Sequence, residues 1–391
     1  MDFTYKIIKV KLNKNMKADS NNYLMIGPYK EAALKQVIVK EKEFRTYPIN
    51  KSDLLIVKKC PLCHSKNTEP IAELYINFKL KILSTDICNN CLFVFRSLSP
   101  NLNWFKKCWR LIKTKKLEVF NSKVEELRKS RYIKYYKILS KYVKKGRMLD
   151  IGAAYGTGTA VFRKHGFNVE AVEPEISKVN YLKHLKIPIV SDAIENLIIK
   201  KRNYDLIIFS ACFEHVDHPN FIMSKIKNLL HNKNSILYLE IPVIWNYISW
   251  SDALYLTHKS NFTEDNIINL MTANGFRILE MFYLWDHLLW GQPQVAKNLS
   301  DSMGMVLKYV GGVALASINK PIKYNKFNSE HIRSLYRRDL PIKITLPINA
   351  TLKYSVPYIN QFFQTLRLKD KKMVKSKSRP EFLVFEDVKT N

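Results

Sequence analysis

The sequence predicts an α/β chain, with a doubly wound and mostly parallel sheet, a small cysteine-bearing module before it and an irregular extension after it. Three observations predict this. Short apolar runs alternate with helical stretches between residues 146 and 282, and strand–helix units of that length imply parallel strands joined by crossover helices. Five of the 11 glycines (Gly146, Gly152, Gly156, Gly158 and Gly166) fall within 21 residues at the start of that stretch. Such crowding in a glycine-poor chain suggests backbone that must approach something closely. Four of the six cysteines form two Cys-x-x-Cys turns, Cys60 with Cys63 and Cys88 with Cys91, separated by 24 residues.

Residues 1–59 form an N-terminal extension with short alternating stretches at 5–10 and 36–39. Residues 60–100 hold the cysteine turns. Two such turns can place four thiolates at the corners of a tetrahedron, about 2.3 Å from Zn²⁺. A reducing compartment disfavours a disulfide framework. Cys60, Cys63, Cys88 and Cys91 are therefore the expected ligands, and a closed four-thiolate set makes the zinc structural. His64 adjoins the first turn without being needed, and Cys108 and Cys212 are expected as free thiols. Across 101–145, Trp104, Leu111, Tyr135 and Leu139 recur at near-helical spacing among many Lys and Arg, which predicts amphipathic helices with a basic, solvated face.

From 146 to 283, strands are expected at 148–151, 169–172, 189–190, 206–209, 236–241 and 278–282, six in all. Helices are expected at 158–165, 176–185, 220–230 and 264–274. The extension over 284–391 is less regular: 306–318 reads as a helix interrupted by Gly311-Gly312, 342–348 and 352–356 read as strands, and 369–377 reads as a basic exposed segment.

A chain of 391 residues that is 47% apolar and 25% charged is neither disordered nor a peptide-sized scaffold. Its net charge of +30 is unevenly placed: +8 over residues 1–100, +12 over 101–150 and +10 over 301–391, with 14 charges of each sign between 151 and 300. Because 50 of the 64 basic residues are Lys, compositional bias explains this as well as an anionic partner does. There is no apolar run of 18 residues and no signal-peptide core, so a cytoplasmic protein without a transmembrane segment is expected, with peripheral contact to an anionic surface left open.

The glycine cluster reads Asp150-Ile151-Gly152-Ala153-Ala154-Tyr155-Gly156-Thr157-Gly158, after a strand and opening a helix. It departs from both the dinucleotide fingerprint and the P-loop, and its wider loop suits a ligand without a pyrophosphate. With Glu173 21 residues after Gly152, Asp192 after the third strand and Glu214-His215-Val216-Asp217-His218-Pro219 after the fourth, the stretch 140–282 resembles the class I S-adenosylmethionine-dependent methyltransferases. The resemblance implies a Rossmann-like sheet. It implies that Asp150, Gly152, Ala153, Gly156 and Gly158 surround the methionine part of the cofactor, that Glu173 takes the ribose hydroxyls, and that Asp192 with Ala193 meets the adenine. One carboxylate can accept two hydrogen bonds from a vicinal diol. It also implies an acceptor site at Glu214 and His215, with His215 as first choice of base because an imidazole titrates in the useful range. His258, before Phe262-Thr263 and a helix ending at Asn274-Gly275-Phe276, is a third candidate.

Joined to the four-cysteine module, this core resembles the sugar C-methyltransferases that act on nucleotide-linked deoxysugars. A sugar or nucleotide-sugar is therefore the expected small-molecule acceptor. A second resemblance is to ribosomal-RNA guanine methyltransferases with a Cys-Pro-x-Cys hook, for which the basic flanks would serve phosphate binding. A catalytically inactive methyltransferase-fold binding module is the third reading.

Overall fold

The computed structural model describes residues 49–76, 79–111, 122–199, 203–230, 232, 234–243, 257–284, 302–311, 342–346, 371–375, 378–379 and 383–387. The expected stretches at 5–10, 36–39 and 352–356 and the side chain of Cys108 lie outside them. The chain first forms strands β1 (Leu54–Ile56), β2 (Thr68–Ile76), β3 (Leu80–Cys88) and β4 (Val94–Pro100), then helices α1 (Leu102–Leu111) and α2 (Ser122–Leu139). Alternating units follow: β5 (Gly146–Ile151), α3 (Thr157–Lys164), β6 (Phe167–Val172), α4 (Ile176–His184), β7 (Ile189–Ser191), β8 (Leu206–Ser210), α5 (Pro219–Leu229) and β9 (Ile236–Pro242). Next come β10 (Ser260–Asn261), α6 (Glu264–Ala273), β11 (Phe276–Leu284), β12 (Ser302–Tyr309), β13 (Ile342–Leu346), β14 (Lys371–Lys375) and β15 (Leu383–Asp387).

Seven strands make the α/β sheet, in the order β11-β12-β9-β8-β5-β6-β7. The strands from β5 to β9 pair in parallel with one another, and β12 runs antiparallel between β9 and β11. This corrects the count of six. The seventh strand begins inside the expected extension, where a helix was expected from 306. Ser302 to Leu307 is buried throughout, and a strand paired on both edges and covered on both faces reads as a continuous apolar run, which periodicity cannot separate from a buried helix.

The second sheet is built on the cysteine-bearing strands. β2, β3 and β4 form an antiparallel meander, β1 pairs with β4, and β13 joins β2 in parallel. β15 and β14 continue the sheet beyond β13. Two ends of the chain thus complete one sheet, and within the expected irregular extension the described segments β12 to β15 are regular. The two sheets meet through β10, which pairs with β4. Cys60, Leu62, Phe93 and Phe95 share one apolar core with Leu149 and Phe209 of the seven-stranded sheet and with Phe213 just after β8. The opposite face of that sheet is covered by Tyr132, Tyr135, Leu139, Val161 and Phe162 from α2 and α3. Among the described residues no helix is long and apolar enough to cross a membrane.

Candidate functional site

Parallel strands leave their ligand sites beyond their carboxyl ends, and the sequence-predicted residues converge there. After β5 the backbone turns through Gly152, whose φ of +78° lies in the left-handed region, and a Cβ there would come within 2.6 Å of Cys212 Sγ. Both conformation and space therefore require glycine. Gly156 caps the N-terminus of α3. Gly158 lies against the Tyr132 ring, which an added Cβ would meet at 2.5 Å. The Gly152 N–H donates to the Val172 carbonyl at 2.9 Å, and the Glu173 N–H to Ser191 at 3.3 Å, so the ends of β5, β6 and β7 are tied into one rim.

Two buried carboxylates stand in this rim. Asp150 is fully buried and accepts from Thr159 Oγ1 at 2.5 Å and from Tyr132 OH at 3.2 Å. Burial pushes its carboxyl up to about 6, against the pull of those hydrogen bonds. Glu173 accepts from the backbone N–H of Ala154 at 2.9 Å through one oxygen and from that of Glu175 at 3.0 Å through the other. Burial raises its carboxyl too, against Lys178. Each of its oxygens keeps a second lone pair for a ligand. Asp192 is exposed, at the edge of the rim, held by Lys106 Nζ at 2.5 Å and Asn196 Nδ2 at 2.8 Å, and Ala193 beside it is buried.

Past β8 the chain enters a short turn, Phe213–His215. Glu214 is buried, and burial pushes its carboxyl up to about 8. His215 places Nδ1 2.9 Å from the Thr257 carbonyl, and its ring meets that of His258 edge-on with centroids 5.0 Å apart. The protein atoms crowded around His215 push its pKa down to about 4. The ring is therefore neutral at pH 7, with over a third of the side chain open to solvent. Cys212 donates to the Ile151 carbonyl at 2.9 Å, and burial raises its thiol well above the ordinary value. It is a free thiol with a structural contact.

The residues that sequence reasoning missed lie mostly on α2. Arg131 Nη2 donates to both oxygens of Glu240 at 2.7 Å and to Ser210 Oγ at 2.9 Å, and Tyr135 OH also bonds Glu240. Burial works against the charge of Arg131, but the Glu240 carboxylate outweighs it and raises the pKa. Earlier on α2, Glu125 accepts from Thr157 of the glycine loop. So the buried face of this amphipathic helix closes over the ends of β5, β8 and β9, while Lys129 and Lys137 on its other side are exposed as expected. Its spacing held the signal: Arg131, Tyr132 and Tyr135 lie on one face of a helix, and a buried tyrosine hydroxyl or arginine needs a polar partner.

At the cysteine turns, Cys60 and Cys91 sulfurs are 3.5 Å apart, as are those of Cys63 and Cys88. All four lie within 4.8 Å of one another. The crowding splits their titration: hydrogen bonds among the sulfurs raise Cys60 and Cys91 and lower Cys63 and Cys88. The turns are braced from helices α5 and α6, Asn220 Nδ2 donating to the Pro61 carbonyl at 2.8 Å and Asn266 Nδ2 to that of Cys91 at 3.1 Å.

The family model described as a methyltransferase domain matches residues 124–281, a stretch that includes α2 and every strand from β5 to β9. Residues 124–281 are thus similar to a methyltransferase domain, carried on a doubly wound α/β sheet. Solved methyltransferases that the chain resembles include one from Archaeoglobus fulgidus (19% identity, 47% of this chain and 94% of that one, TM-score 0.37). Others come from Clostridium acetobutylicum (13%, 47% and 92%, TM-score 0.37) and Mesorhizobium loti (14%, 45% and 96%, TM-score 0.38). No curated protein matches the chain.

Proposed function

We propose that the methyltransferase domain moves the methyl group of S-adenosylmethionine onto a small-molecule acceptor, a sugar or glycan precursor, and that the cysteine turns hold a structural Zn²⁺. The observation that carries the reading is the convergence on one sheet rim of the glycine loop, the buried carboxylate of Glu173 with lone pairs to spare, and the Glu214, His215 and His258 side chains. In this reading Asp150, Gly152, Ala153, Gly156 and Gly158 enclose the methionine part, Glu173 takes the ribose diol, and Asp192 with Ala193 borders the adenine. Transfer is an in-line displacement: the acceptor forms a bond to the methyl carbon as the carbon–sulfur bond breaks, S-adenosylhomocysteine leaves, and the acceptor proton departs on the side of His215 and Glu214. What favours the sugar class is the pairing of a four-cysteine module with Glu214-His215 in one chain. The +12 carried by residues 101–150 favours RNA as the second reading.

Tritiated methyl transfer into fractionated cell extract separates the two. Label in low-molecular-weight sugar nucleotides is the expected result, and label confined to RNA would replace the acceptor class. For zinc, four sulfurs each about 2.3 Å from one ion stand about 3.8 Å apart, which the 3.5 Å pairs approach from below. Elemental analysis should find one zinc per chain, lost when Cys60→Ser is combined with Cys88→Ser. A metal-free native chain would exclude the site.

A further inference from the structure

The turn after β8 brings together the side chains of Glu214, His215 and His258. Glu214 exposes only 4% of its side chain, and its Oε2 has no hydrogen-bond partner among the described residues. Its Oε1 lies 3.7 Å from His215 Nε2, beyond hydrogen-bond reach. The Thr257 carbonyl can only accept, so Nδ1 of His215, 2.9 Å away, carries the ring hydrogen. In the neutral ring that leaves Nε2 unprotonated and turned toward Glu214. One ligand atom each from Glu214, His215 and His258 lies within 4.8 Å of the other two. The neighbouring cations are engaged elsewhere: Lys259 with Asp217, Ser99 and the Pro100 carbonyl, and Arg131 with Glu240. A buried carboxyl oxygen without a partner is costly whether or not the group is ionised.

We propose that Glu214, His215 and His258 form a binding site for a divalent first-row metal cation. Two imidazoles and one carboxylate with open positions are the donor set such ions take. A ligating histidine characteristically donates its other ring N–H to a backbone carbonyl, as His215 does to Thr257. Ligand atoms about 2.1 Å from one ion stand roughly 3.0–3.5 Å apart, so the triad closes on a cation with about 1 Å of side-chain movement. Three protein ligands leave coordination positions open to solvent and substrate. The site therefore deepens the proposed function, on which this part rests: the acceptor is a compound that offers hydroxyl or keto oxygens to the ion beside the carboxyl end of β8. The site is distinct from the cysteine turns in position and in ligand softness.

The test uses the full chain, loaded with zinc at the cysteine turns and freed of excess metal, titrated with Mn²⁺ while the free-ion electron paramagnetic resonance signal is followed. Mn²⁺ prefers carboxylate and imidazole over thiolate. One Mn²⁺ per chain is expected, displaced by Co²⁺, with affinity at least about ten-fold weaker in Glu214→Gln and in His258→Asn. The absence of Mn²⁺ and Co²⁺ binding beyond the zinc equivalent, or variants that bind as the native chain does, would overturn the site. Circular dichroism confirms that each variant is folded; should Glu214→Gln fail to fold, His258→Asn, at the half-buried edge, decides alone. The same samples titrated with S-adenosylhomocysteine keep the two proposals apart. Nucleoside binding without Mn²⁺ binding removes the cation and leaves the methyltransferase reading; Mn²⁺ binding without nucleoside binding does the reverse.

Discussion

The rim of the seven-stranded sheet carries buried carboxyl groups on two sides, and they are treated differently. On the β5–β6 side, each oxygen of Asp150 and of Glu173 already accepts a hydrogen bond from the chain. On the β8 side, Glu214 is equally buried but keeps one oxygen without a donor among the described residues. The first arrangement is complete without a ligand, so it can hold a binding loop in shape before the cofactor arrives. The second is incomplete, and burial without a partner is tolerated where a ligand later supplies one. The contrast matches the division of labour proposed for the two sides: a preorganised cofactor pocket next to a site that finishes itself on binding.

The largest expected effect tests how firmly the first side is preorganised. Asp150 has a folded-state pKa of about 6, above the ordinary value near 3.9. The unfolded chain therefore loses this proton first, and ionisation costs the native state. The contribution of Asp150 is intact below about pH 4 and is lost as pH rises through 6, a change of about 3 kcal/mol. Urea unfolding of the cofactor-free protein should show the stability of the native chain relative to Asp150→Asn falling by that amount between pH 4 and 7.5. A pH-independent difference would mean that the carboxylate is solvated and the pocket looser than described.

On the second side, His215→Ala should lower turnover about 10²-fold or more while S-adenosylhomocysteine affinity is kept. Unchanged turnover would remove this residue from the acceptor site, and lost nucleoside affinity would move it to the other side of the comparison. A smaller effect is expected at Gly158→Ala. The added Cβ meets the Tyr132 ring at 2.5 Å, and overpacking of this kind costs about 1–3 kcal/mol. Thermal unfolding should record it, and an unaltered melt would show that α2 does not press on the glycine loop. The least effect is expected on heparin: a sugar enzyme should elute with a shallow salt dependence, whereas a steep one would strengthen the RNA reading.

Much of the seven-stranded sheet is legible in the sequence because its strands and helices change period sharply. The expected strand at 206–209 and the helix at 176–185 fall within one residue of Leu206–Ser210 and Ile176–His184. The placement of Asp150, Glu173 and Glu214 at strand ends follows from the same alternation. What could not be read depends on contacts between distant segments. β12 joins the sheet 18 residues after β11, and nothing local to Ser302–Tyr309 says that its partners are β9 and β11. The role of α2 was hidden by composition: the Lys and Arg that suggest a solvated face surround one arginine whose partner, Glu240, is 109 residues away. The second sheet likewise borrows β13 from the far end of the chain to pair with β2, a long-range choice that no local pattern encodes.

Calorimetric titration of the purified chain with S-adenosylhomocysteine tests the central claim most directly. The account predicts one nucleoside bound per chain, with affinity at least about ten-fold weaker in Glu173→Ala because the carboxylate that accepts from the ribose diol is gone. Absence of binding by the native chain, or equal binding by Glu173→Ala, would contradict it.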